Sequence, residues 1–465
     1  MKPNILFLFS DQHRGDWMPY NRETKIAQGT ENLELEMPVI KSLMDNGTTF
    51  SLAFSPAPVC APARACLASG RRYKNCRVYQ NNVNYDSALP SFYEQLKKSG
   101  YHVLGAGKFD YNKADLDWGD GYHKLLQEMG FTSALDSEGK MDTVWAYMQG
   151  KPGPYGKMLK ESGWLEKHIE DMSSRCCSPK PTNLPDEYYA DNWVAEKSQQ
   201  MLKNLPKNEP WFMQVNFSGP HDPWDITKSM RERIESRIFP EAEDCYFSKE
   251  NLEVRKNYAA MIENIDRLCG EIIETVRERG ELQNTIIAYA SDHGEMMGDH
   301  GLYGKSKPEM GSVHIPLVID ASKMGGLKGI TNSSPVELQD LAATFLDFAG
   351  LGCEKWHESF SLRPIVNGKS DKVREYAISE LITRNPTGCI RSFGTITDGE
   401  WKFIMRSSGE EQLFNIKRDP FEKENLIQKE PTIAEKLKIA FGERGIEPNP
   451  VARAYSKSFM TSLSI

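Results

Sequence analysis

The sequence predicts an α/β fold: a large mixed, mostly parallel sheet sandwiched by helices, followed by a smaller C-terminal antiparallel α+β subdomain. Two observations carry this. Over the first three-quarters of the 465 residues, short apolar, β-branched or aromatic runs alternate with amphipathic helical stretches, the pattern of parallel strands covered on both faces. From about Trp356 onward the texture changes to short strands in close succession. The expected division is 1–355 for the N-terminal α/β unit and 356–465 for the C-terminal one.

In chain order, strands are expected over residues 5–9, 48–54, 101–106, 211–217, 285–290 and 315–319. Helices fall between them, over 37–46, 90–99, 187–204, 249–279 and 335–349. Gly47, Gly100, Gly280 and Gly350 follow four of these, where a helix end favours a left-handed residue. A further helix is expected to begin near Pro62, because proline is tolerated in a first helical turn. In the C-terminal unit, strands over 392–397, 401–405 and 411–415 precede a helix over 432–444.

Hydrophobic residues make up 39% of the chain and charged ones 26%, which suits an ordinary globular protein with a substantial core. The net charge of -8 offers no basic stripe to neutralise phosphates, so a nucleic-acid partner is not expected. No stretch is long enough to span a membrane, and the opening apolar run, closed by Asp11, is too short for a signal-peptide core. Nine cysteines, an odd number that includes adjacent Cys176 and Cys177, give no disulfide framework. A cytoplasmic location is the expectation.

In open α/β sheets, ligands bind beyond the carboxyl ends of the strands, so polar residues just after several strands converge in space. Four strands here are followed in that way, by Asp11-Gln12, by Lys108, by Pro220-His221 and by Asp292-His293-Gly294. Two acids with Gln12 and His293 offer hard oxygen and imidazole donors for a divalent cation. Arg64, Lys108 and Lys305 supply positive charge for a sulfate or phosphate oxygen, and His221 is placed to protonate a departing alcohol. The loops at 118–122 and 145–155 and the run His221-Asp222-Pro223-Trp224 carry aromatic rings that either stack on a sugar or anchor their own loops.

One pentapeptide sharpens the reading. Cys60-Ala61-Pro62-Ala63-Arg64 resembles the Cys-x-Pro-x-Arg signal for converting cysteine into formylglycine, and it continues Ala65-Cys66-Leu67-Ala68-Ser69-Gly70-Arg71. With the stretch from Asp292-His293-Gly294-Glu295 to Gly304-Lys305, and with Asp419-Pro420 followed by Asn425-Leu426, the chain resembles the type I sulfatases of the alkaline-phosphatase superfamily. The resemblance implies an alkaline-phosphatase-like fold and a sulfuric ester hydrolase acting on a sulfated small molecule or oligosaccharide. It implies a metal site of Asp11, Gln12, Cys60, Asp292 and His293, holding Ca2+, with Mn2+ or Mg2+ as alternatives. Cys60 converted to formylglycine by a maturation enzyme would be the nucleophile; its hydrate attacks sulfur with one hydroxyl and helps expel sulfate with the other. Arg64 would steady that group, Lys108 and Lys305 bind the sulfate, and His221 serve the leaving group.

Two departures keep alternatives open. Where the family often has a histidine two positions past the lysine, this chain has Asp110, so the base that breaks down the sulfated intermediate is either Asp110 or another residue such as His300 or His314. The pairs Asp11-Gln12 and Asp292-His293 resemble the variant found in choline sulfatases and phosphonate monoester hydrolases. A phosphonate monoester or phosphodiester hydrolase, or a choline-sulfatase-like enzyme of the same superfamily, is the first alternative. A non-catalytic sulfated-glycan binder, with Cys60 unmodified, is the second.

Overall fold

The protein is described here by a computed structural model covering residues 2–175, 178–244, 249–384 and 390–444. Cys176 and Cys177 lie outside the described residues, and the C-terminal unit expected over 356–465 is described as far as residue 444. Fifteen strands are present among the described residues: β1 (Asn4–Asp11), β2 (Thr48–Phe50), β3 (Ala53–Phe54), β4 (His102–Gly107), β5 (Ser133–Asp136), β6 (Trp211–Pro220), β7 (Thr285–Ser291), β8 (His314–Ile315), β9 (Leu317–Asp320), β10 (Ile330–Asn332), β11 (Val336–Glu337), β12 (Ala377–Arg384), β13 (Ile390–Thr397), β14 (Trp401–Arg406) and β15 (Glu411–Asn415).

Eight of them make the main sheet, in the order β10-β2-β9-β7-β1-β6-β4-β5. All its pairings are parallel except the two made by β9, so β9 alone runs against the rest. Successive side chains of β1 point to opposite faces. Ile5, Phe7 and Phe9 join one core with Leu67, Phe92, Leu341 and Phe345. Leu6 and Leu8 join the other, with Ile40, Val194, Ile262 and Ile265. A strand buried on both faces reads as a continuous apolar run, and for that reason β1 and β6 were legible. The C-terminal unit is the antiparallel sheet β12-β13-β14-β15, with Leu437 and Phe441 of the helix Pro431–Arg444 packed on Ile396 and Phe403.

The expected strand over 48–54 is two strands in two sheets, broken at Ser51, whose N–H turns to the carbonyl of Asn332. The strand over 315–319 is split at Pro316, which has no N–H to continue a ladder. The helix over 335–349 begins instead at Asp340, because Val336–Glu337 is taken up as β11 beside β3. Expectation missed β5, β10 and β12 as well as β11. β5 and β10 are only four and three residues long and mix polar with apolar residues. The five described cysteines, Cys60, Cys66, Cys76, Cys269 and Cys353, are free thiols. No helix among the described residues is long and apolar enough to cross a membrane.

Candidate active site

Because β1, β4, β6 and β7 run parallel side by side, their carboxyl ends open on one edge of the sheet. Asp11 ends β1, Asp292 follows β7, Lys108 follows β4 and His221 follows β6. Gly107 makes the Lys108 position available: its φ is +101°, and a Cβ there would lie 1.9 Å from the carbonyl oxygen of Asn216. Only glycine fits so close an approach of two strands.

Cys60 opens the helix Cys60–Ser69, with Pro62 inside its first turn. The N–H of Ala61, one of the unpaired donors at that helix end, is capped by Asn81 Oδ1 at 3.0 Å. The Cys60 Sγ lies 2.8 Å from Lys305 Nζ, 3.3 Å from His293 Nε2, and 3.8 Å from both Lys108 Nζ and Asp11 Oδ1. Burial and the Asp11 charge push this thiol up, but Lys108, Lys305 and His293 outweigh them and hold it well below the usual thiol range. The pocket around Cys60 is thus built for negative charge.

Arg64, one turn further along the same helix, is fully buried and joins the two acids. Its Nε donates to Asp292 Oδ2 at 2.9 Å and its Nη2 to Asp11 Oδ2 at 3.1 Å, while Nη1 bonds the Lys108 carbonyl and Asn216 Oδ1. Burial opposes the charge on Asp11, yet Lys108, His221, Lys305 and Arg64 together hold that carboxyl well below its ordinary range. Asp292 Oδ1 accepts the N–H groups of Gln12 and His293. His293 is raised: burial lowers it, and so does Lys305, but the Asp292 charge together with the charge and hydrogen bond of Cys60 outweighs them.

Asp11, Cys60, Asp292 and His293 bring one ligand atom each within 4.8 Å of one another. Gln12 adds a fifth. It sits in the left-handed region at φ 70°, its own N–H and carbonyl satisfied by Asp292 and by the Tyr258 hydroxyl. Its Nε2 donates to Asp222 Oδ1 at 3.2 Å and to Glu295 Oε2, and its Oε1 is buried with no hydrogen-bond partner. Two carboxylates, an imidazole and an unsatisfied amide oxygen fit a hard divalent cation.

On the open side, Lys305 Nζ is 2.5 Å from His221 Nε2, and the His221 Nδ1 faces the Asp222 carbonyl at 2.6 Å. The buried Lys140 pins this loop through the carbonyls of His221 and Pro223 and the Asp225 carboxylate. The Asp110 carboxylate lies 3.3 Å from Lys108 Nζ and 3.4 Å from Lys113 Nζ. Of the two other candidates for a base, His300 pairs with Asp244, and His314 is buried against the Ser51 carbonyl.

The structure therefore brings together Asp11, Gln12, Cys60, Arg64, Lys108, His221, Asp292, His293 and Lys305. Sequence reasoning missed Asn81, Lys140, Asn216, Asp222 and Glu295. Asn216 carried a signal, as a polar residue inside the apolar run of β6. Among the aromatic loops, Trp118, Tyr155 and Trp224 are buried anchors, whereas Trp145 is half exposed.

A family model described as "Sulfatase" matches residues 3–351, and one described as "N-sulphoglucosamine sulphohydrolase, C-terminal" matches residues 298–442. An arylsulfatase of Clostridium perfringens is 29% identical, covering 92% of this chain and 91% of its own. The solved phosphonate monoester hydrolase of Agrobacterium radiobacter superposes with a TM-score of 0.78 at 20% identity, over 95% of each chain. BT4656, solved with its substrate D-glucosamine-2-N,6-O-disulfate, superposes at 0.73 with 18% identity, over 95% of this chain and 97% of its own. The last two are likenesses of fold.

Proposed function

This chain belongs to the sulfatase family, and from that premise we propose that it removes sulfate from a sulfated carbohydrate, using Cys60 in its formylglycine form and a divalent cation, with Ca2+ the first choice. The chain is a sulfuric ester hydrolase. One observation carries the proposal: Cys60 Sγ sits among Lys305, His293, Lys108 and Asp11, and is itself one of four converging donors, with Asp11, Asp292 and His293.

Asp11, Gln12, Asp292, His293 and the modified Cys60 would hold the cation, which supplies Lewis acidity toward the sulfate oxygens. Arg64 holds both acids in place and balances their charge. Lys108 and Lys305 bind the sulfate oxygens, and their fixed charges face the position where negative charge grows during transfer. His221 gives a proton to the departing sugar oxygen as its bond to sulfur breaks. Asp110 holds Lys108 from behind or, as the alternative, takes a proton during sulfate release. A formylglycine-generating maturation enzyme is the partner this chemistry requires. The sugar preference is supported by the likeness of fold to BT4656, whose substrate is a sulfated glucosamine.

A second reading rests on the donor set: Gln12 and His293 in place of Asp and Asn, together with the fold likeness to a phosphonate monoester hydrolase. A panel of sulfated sugars, aryl sulfates and phosphonate monoesters, assayed with protein carrying the aldehyde at Cys60, separates the two. The highest kcat/KM is expected on a sulfated sugar. A phosphonate monoester turned over faster than every sulfate ester would establish the second reading instead.

A further inference from the structure

Glu295 is fully buried, lies three residues beyond Asp292, and takes no part in the chemistry of Cys60 and the sulfate. Its two oxygens point to two different parts of the site. Oε2 accepts the amide N–H of Gln12. Oε1 accepts the backbone N–H of Met297 at 3.0 Å and of Gly304 at 2.5 Å, and Gly304 directly precedes Lys305.

The two ends of a glutamine amide are nearly isosteric, so the partners decide which end faces which way. At Gln12 the partners are Asp222 Oδ1 and Glu295 Oε2, both carboxylate oxygens. A flipped amide would turn its oxygen against two acceptors and leave its N–H groups without these partners, which a buried site penalises. The orientation that satisfies Nε2 directs Oε1 to the other side, where it is buried and unpartnered. The same carboxylate pins the turn from Met297 to Gly304, which delivers the Lys305 ammonium to 2.8 Å from Cys60 Sγ.

We infer that Glu295 is a positioning residue joining the cation half of the site to the anion half: one oxygen fixes the Gln12 amide with Oε1 toward the cation, and the other holds the turn that presents Lys305. This rests on the reading of Asp11, Gln12, Cys60, Asp292 and His293 as a cation site. Glu295→Gln replaces one acceptor by an amide N–H that faces either Gln12 or Gly304 with the wrong polarity, so both halves should suffer together.

The test is calorimetric. Full-length protein stripped with a chelator is titrated with Mn2+ alone, and the Mn2+-loaded protein is then titrated with inorganic sulfate. In Glu295→Gln the Mn2+ Kd is expected to rise about 10–100-fold, the usual effect of losing an outer partner of a metal ligand, and the sulfate Kd should rise with it. In a Gln12→Ala background the same change should cost little further Mn2+ affinity, because it acts through Gln12. If Glu295→Gln does not fold, Glu295→Asp, one methylene too short to reach both Gln12 and Gly304, goes through the same cycle. A variant that melts earlier but keeps both wild-type Kd values overturns the proposal, as do losses that add fully in the double variant. Wild-type protein that takes up no Mn2+ overturns the cation-site reading and the proposal with it, a result distinct from a wild type that binds beside an unaltered variant.

Discussion

Removing the Arg64 guanidinium should unpin both metal-side carboxylates at once. Arg64 is buried and bridges Asp11 and Asp292, at the ends of β1 and β7, through Nη2 at 3.1 Å and Nε at 2.9 Å. Arg64→Met leaves those carboxylates without this partner, and breaking a buried pair costs about 3–5 kcal/mol. An unfolding entropy of about 2.1 cal/mol/K per residue, over 465 residues, converts 1 kcal/mol into about 1 °C of Tm. The expected loss is therefore about 3–5 °C. Arg64→Lys keeps the charge but not the planar fork, so it forfeits one charge-assisted bond of about 1.5–3 kcal/mol and should lose about half as much. Added Ca2+ should raise the Tm of Arg64→Met by more than that of wild type, since the two buried carboxylates left without Arg64 regain a positive partner. Differential scanning calorimetry with chelator and with Ca2+ reads both effects. An Arg64→Met protein that melts within about 1 °C of wild type in chelator would refute the reasoning.

Three further outcomes follow from the same geometry. Lys305→Ala removes a cation 2.8 Å from Cys60 Sγ and should lower kcat/KM about 10–150-fold, the equivalent of one charge-assisted hydrogen bond of about 1.5–3 kcal/mol; an unchanged kcat/KM would exclude Lys305 from the reaction. Asp110 is paired with Lys108 and Lys113, so Asp110→Asn should slow alcohol and sulfate release together in rapid-quench experiments, whereas an intact alcohol burst followed by slow turnover would mark Asp110 as the base of the second step. His13 and His314 are each pushed down to about 4 by burial; between that pH and their ordinary value near 6.5 the unfolded chain binds more protons than the folded one, so stability should fall as pH drops through this window by about 1.4 kcal/mol per pH unit for each histidine. A His314→Asn protein with the wild-type slope of stability against pH would assign that acid sensitivity elsewhere.

The residues that were legible in the sequence are those whose chemistry is tied to a strand end or to a short motif. β1 announced itself because burial on both faces demands an unbroken apolar run, and Asp11 and Gln12 stood out at its end. Cys60, Arg64 and Lys305 were legible through the two motifs that resemble those of the sulfatases. Asn81, Asp222 and Glu295 were not, because their roles depend on reach across the fold: Glu295 meets Gln12 across 283 positions of sequence. A carboxylate that is to bond a backbone N–H looks, in sequence, like any solvated acid. The short strands β5, β10 and β11 were hidden for a related reason, since pairing with a neighbour, rather than any apolar periodicity of their own, makes them strands. Pro316 was visible in the sequence, and its missing N–H explains why one expected strand became β8 and β9.

The most direct measurement sets turnover against the chemical state of Cys60. Protein is produced with graded amounts of a formylglycine-generating enzyme, the aldehyde fraction of the Cys60 peptide is read by mass spectrometry, and the initial rate is measured on a sulfated sugar at saturating Ca2+. The expected result is a rate proportional to the aldehyde fraction, with a line through the origin and none left in Cys60→Ala. A rate independent of that fraction, with thiol-only protein turning over as fast as modified protein, would contradict a reaction carried by Cys60 in its formylglycine form.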